Sequence, residues 1–151
     1  MTSIQFTTSG WSYRDWIGNE SPEGTPSGKF LNHFSRRFTC VEIPGTCYAI
    51  PGEKMVAGWD ANTPEGFIFL PKMPKSIVHA GKDARPDPER ILNLNHVRQD
   101  LELFLERVSA LGPKLGCRLV FSKKNASTVV RRSSSASESG GEDFLSALTQ
   151  R

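Results

Sequence analysis

Four short β-prone runs, separated by stretches with helical spacing, set the tightest limit on what this chain can fold into. Ile4-Gln-Phe-Thr-Thr8 alternates and is rich in strand formers. Thr39-Cys-Val-Glu-Ile43 is the second run, Phe67-Ile-Phe-Leu70 the third and Cys117-Arg-Leu-Val-Phe121 the fourth. The third is continuously apolar, which suits a strand buried on both faces of a parallel sheet. Between the first two runs, Phe30, Leu31, Phe34 and Phe38 recur at helical spacing, so residues 29–37 read as a short amphipathic helix. Pro51 opens a second helix with Met55, Val56 and Trp59 on its apolar side, since a proline is tolerated in a first helical turn. Residues 71–88 form a long, proline-containing connection. Residues 97–111 give the clearest helix, with Leu101, Phe104, Leu105 and Val108 as its core stripe and Gly112-Pro113 as its stop. Strands alternating with helices predict parallel βαβ units with right-handed crossovers.

A chain of 151 residues fits one domain with a real core. Its net charge of +3 is too weak to make the whole chain a nucleic-acid binder. Cys40, Cys47 and Cys117 are odd in number and include no CxxC pair, which argues against a disulfide framework or zinc knuckle and for a reducing, cytoplasmic location. The first residues lack the pattern of a signal peptide. No apolar run approaches the ~20 residues of a membrane span, so no membrane partner is expected. The last part changes character. Residues 122–141 are Ser-rich and nearly without core-forming side chains after Val130, and are expected to be disordered or loosely held. Lys114, Arg118, Lys123, Lys124, Arg131 and Arg132 fall in a window without acidic residues. That window reads either as a solvated flexible segment or as a nucleic-acid-binding tail.

Several segments together resemble a known family. Thr8-Ser-Gly-Trp-Ser-Tyr13, Val41-Glu-Ile-Pro-Gly-Thr-Cys-Tyr48, Phe67-Ile-Phe-Leu-Pro-Lys-Met-Pro74 with Ile77-Val-His79, and Leu111-Gly-Pro-Lys-Leu-Gly116 are similar, in this order, to the domain-of-unknown-function-72 (YecE-like) family. The resemblance implies an α/β fold of the TIM-type βα barrel, of which this chain would hold the first three to four βα units, a partial barrel of unestablished biochemical role. Pro44-Gly45 stands where the family typically has Asn-Ser, and Cys47 where it usually has Phe. After Gly116 the family pattern lapses until Glu142-Asp-Phe-Leu-Ser-Ala-Leu148, as a frameshifted window would produce. The expected division is a partial barrel over 1–116, a degenerate or disordered segment over 117–141 and a short helix over 142–151. An open sheet edge would invite self-association.

In such barrels functional side chains sit at the C-terminal ends of the strands. Ser9, Trp11 and Tyr13 follow the first strand and could hold a small ligand through a hydroxyl and two amphipathic rings, or pack the barrel rim. Glu42 alternates with Val41 and Ile43, so its side chain points opposite to theirs. Buried alone, its carboxylate would be unfavourable, and Lys72, just past the third strand, is its natural partner. The pair could act as catalytic acid and base or form a structural ion pair. Thr46 and Tyr48 follow the second strand, and His79 lies beyond the third. One His and one Glu do not make a metal site, and no motif points to a particular cofactor. The leading expectation is therefore a small polar or anionic ligand near Glu42, Tyr48, Lys72 and His79. The alternatives are a non-catalytic nucleic-acid-binding module and an inactive truncated gene product.

Overall fold

The computed structural model of the chain describes residues 5–19, 21–79, 93–122 and 125–129. At its centre Cys40–Ile43 (β1) and Ile68–Pro71 (β2) pair in parallel, with Val41 opposite Phe69 and Glu42 opposite Leu70. Further parallel bridges flank this pair. Ser9 bridges Glu42, where Gly10 N–H donates to the Glu42 carbonyl at 3.0 Å and Glu42 N–H to the Thr8 carbonyl at 3.3 Å. On the far side Phe69 bridges Leu115, and Gly116 N–H donates to the Phe69 carbonyl at 2.9 Å. Four segments thus lie side by side in sequence order, all parallel.

Helices fill the connections. Phe30–Phe34 (α1) follows a 3-10 turn at Ser27–Lys29, and Glu53–Ala61 (α2) separates β1 from β2. Lys75–Val78 (α3) and Leu94–Ser109 (α4) follow β2. Period two in the strands divides the sheet. Val41, Ile43 and Phe69 point towards the helices and join Leu31, Phe34, Val56 and Trp59 in one buried cluster. A second cluster seals α4 to α3, with Phe104 and Val108 fully buried against Met73 and Ile77. Leu115 packs against both. Ile68 and Leu70, on the other face of β2, belong to neither cluster and are only half-buried. Lys114 locks the end of α2, its Nζ lying 2.8 Å from the Asp60 carboxylate, 2.8 Å from the Asp60 carbonyl and 2.9 Å from the Thr63 carbonyl. A cation there satisfies carbonyls that the helix itself leaves unpaired.

Several expectations need correction. The first strand is reduced to the Ser9 bridge, because residues 5–8 engage β1 only through isolated bonds. Pro51 precedes rather than opens α2, whose N-cap is Gly52. Met55 is exposed while Val56 and Trp59 are buried, since one helical step turns it away from the sheet. The long connection after β2 contains α3. The clearest helix begins at Leu94, three residues before the expected start at 97, because the Asn93 side chain accepts from Asn95 N–H at 3.1 Å and caps it. The fourth parallel strand is displaced: the parallel bridge falls at Leu115, and Leu119–Ser122 (β3) instead pairs antiparallel with Asn125–Val129 (β4). That hairpin reaches into the window expected to be loosely held. The basic residues Lys123, Lys124, Arg131 and Arg132 and the helix expected at 142–151 lie outside the described residues.

Candidate functional site at the strand ends

The C-terminal ends of β1 and β2 run into turns that face each other. After Ile43 the chain tightens at once into a 3-10 turn, Pro44–Cys47, whose first residue has its φ fixed by the proline ring. Thr46 is buried inside this turn, and its hydroxyl lies 2.8 Å from the Ile43 carbonyl and 2.6 Å from the Lys72 carbonyl. It donates a shared bond to both and so ties the end of β1 to the end of β2. A valine there would keep the shape and lose the donor, leaving two carbonyls underpaired. Thr46→Val is expected to cost about 1–2 kcal/mol by denaturant unfolding, with Thr46→Ser close to wild type. Equal stability of the valine variant would show that the strut holds nothing.

Glu42 and Lys72 come together as their positions demand. Glu42 points away from the helix-facing cluster, and Lys72 follows directly after β2, its N–H donating to the Ile43 carbonyl at 3.3 Å. Lys72 Nζ stands 3.5 Å from Glu42 Oε1, with the lysine side chain 27% and the glutamate side chain 20% exposed. This is a partly hydrated ion pair, of modest worth to stability but well placed to fix the direction of both side chains.

The other expected residues divide. Trp11 packs edge-on against Trp59 at 6.2 Å and belongs to the helix-side core. Tyr13 leans on Trp16, and its hydroxyl donates to the Ser9 carbonyl. Ser9 itself supplies the parallel bridge to Glu42. These three, like Thr46, make contacts within the chain. Tyr48 is different: it is 74% exposed, and Lys75 Nζ sits 4.1 Å from its ring centroid. His79 is half-buried at the end of α3, its backbone N–H donating to the Lys75 carbonyl at 2.8 Å. Lys75 was not singled out by sequence reasoning. The signal was present in Lys72-Met-Pro-Lys75, where Pro74 starts a helix that carries the second lysine back over the turn after β1. Lys72 is thus paired with a carboxylate, Glu42, and Lys75 with a neutral ring, Tyr48.

Among the described residues no group of three or more His, Cys, Asp or Glu could hold a metal ion, and Cys40, Cys47 and Cys117 are free thiols. No helix among them is long and apolar enough to cross a membrane.

Comparison with known proteins is consistent in both sequence and structure. Residues 5–125 match the model of the family described as "Protein of unknown function DUF72". The UPF0759 protein YecE of Escherichia coli K12 is 31% identical over 106 residues, which are 70% of this chain and 32% of that protein. The chain therefore spans about a third of that relative's length. Among solved structures, a DUF72 family protein from Enterococcus faecalis V583 superposes with a TM-score of 0.61 at 20% identity, covering 97% of this chain and 46% of its own. Another, from Thermotoga maritima MSB8, gives 0.59 at 22% identity, covering 95% and 50%. By the match over most of its length, this chain is a member of the DUF72 family of α/β proteins, whose biochemical role is not established.

Proposed function

We propose that residues up to 116 make the first βα units of a TIM-type barrel, and that the C-terminal ends of its strands bind a small anionic ligand between Lys72, Lys75 and Tyr48. The barrel reading is supported by four parallel segments in sequence order with the helices against one face. The binding reading is carried by one observation: past the ends of β1 and β2, Lys72 pairs with Glu42 while Lys75 lies over the ring of Tyr48, so that the second lysine is held by a ring and not by a carboxylate. Glu42 holds the Lys72 ammonium in place without cancelling the Lys75 charge.

Calorimetric titration with inorganic phosphate tests the reading. Saturable binding is expected, weakening as salt is raised. Lys72→Met should weaken it roughly tenfold, equivalent to about 1.4 kcal/mol. Binding that is absent, or indifferent to Lys72→Met and Lys75→Met, would rule the site out.

A further inference from the structure

We propose that the ligand of this site carries a planar ring beside its negative charge, and that the ring stacks on Tyr48. The inference rests on the reading of the strand ends as an anion site. Its basis is the unusual setting of Tyr48. The base of the residue is rigid: Thr46 and Cys47 before it are buried, and its own N–H donates to the Gly45 carbonyl at 3.0 Å. Its ring nevertheless stands 74% exposed. A tyrosine presents a large flat surface with only two side-chain torsions to immobilise, so a pre-positioned ring binds another ring at little entropic cost. The Lys75 ammonium lies over one face of the ring, 4.1 Å from its centroid, where it steadies the ring by cation–π attraction and leaves the other face for a stacking partner. The neighbouring aromatics are already used. Trp11 is packed on Trp59, and Tyr13 is tied to Ser9. A ring on the other face of Tyr48, with its anionic group towards Lys75, would use the exposed ring and the neighbouring charge together. Aromatic carboxylates and nucleoside monophosphates share that chemistry.

Calorimetric titration of the 151-residue chain with two matched pairs, acetate against benzoate and ribose 5-phosphate against AMP, separates the possibilities. In at least one pair the ring-bearing member is expected to bind about tenfold tighter than its partner. Which pair shows it identifies carboxylate or phosphate as the anion. Tyr48→Ala, and Tyr48→Leu as a bulkier control, should abolish that preference, so that the two members of the pair bind alike. Lys75→Met should weaken both members. Equal affinity within both pairs, with the dependence on Lys72 retained, overturns the stacking inference and leaves the anion site standing. No binding of any of the four overturns both.

Discussion

Gly116→Ala is expected to destabilise the fold by about 1–3 kcal/mol, the usual range for forcing atoms into a packed position. For a chain of this size that is a fall in melting temperature of about 2–4 °C per kcal/mol. The reason is geometric. Gly116 N–H is bonded to the Phe69 carbonyl, which pulls the two backbones together beside β2. A Cβ at this position would lie 2.6 Å from Ile68 Cγ2, 2.8 Å from Leu70 Cδ2 and 3.0 Å from the Phe69 carbonyl oxygen. The side-chain methyls can shift, but the carbonyl oxygen belongs to the sheet and cannot. The methyl contact can be isolated with a double-mutant cycle. Ile68→Ala removes the nearest atom, so the double variant should be less destabilised than the sum of the two singles. Strict additivity, or a Gly116→Ala variant that melts with wild type, would show that the segment after Leu115 does not sit against β2.

The contrast between Gly116 and Glu42 shows what could be read from sequence. Glu42 was legible because alternation is a property of the strand alone: once Val41 and Ile43 are assigned to the core, the face of Glu42 follows. The same logic gave Leu101, Phe104, Leu105 and Val108, all buried as their spacing requires. Gly116 was legible only as part of a motif. That a backbone carbonyl lies 3.0 Å from where its Cβ would be depends on which segment lies next to it, which is tertiary information. Boundaries were lost for the same reason. Asn93 caps α4 through its side chain, a polar signal outside the apolar stripe. Leu115 rather than Cys117 meets β2, because pairing follows the Gly116 hydrogen bond and not the β-propensity of Cys117-Arg-Leu-Val-Phe121.

The candidate site was half legible. Glu42 and Lys72 were expected to meet and do. Trp11, Tyr13 and Thr46 could not be sorted from ligand-facing residues by type, since a hydroxyl or an indole serves either purpose. Their partners within the chain come from the fold and not from residue type: Trp59 for Trp11, the Ser9 carbonyl for Tyr13, two strand-end carbonyls for Thr46. Lys75 was overlooked because its importance arises from a contact with Tyr48, 27 positions earlier in the chain.

The 151-residue chain is expected to self-associate through the face of the sheet that its helices leave uncovered. A parallel sheet is normally covered on both faces, because helical crossovers and neighbouring strands bury each side. Here Val41, Ile43 and Phe69 are covered, while Ile68 and Leu70 opposite them lie outside both clusters and are only partly buried. Each square ångström of apolar surface left wet forgoes about 25 cal/mol, and a second copy can recover it by presenting the same face. Light scattering coupled to size exclusion should give a mass above the 16.7 kDa of one chain, rising from low to high micromolar protein. Leu70→Lys puts a charge on the uncovered face, next to Glu42 across the β1–β2 register, and should return the chain towards monomer. A wild-type chain that stays at 16.7 kDa across that range and unfolds in one sharp transition would mean that this face is already satisfied within one copy.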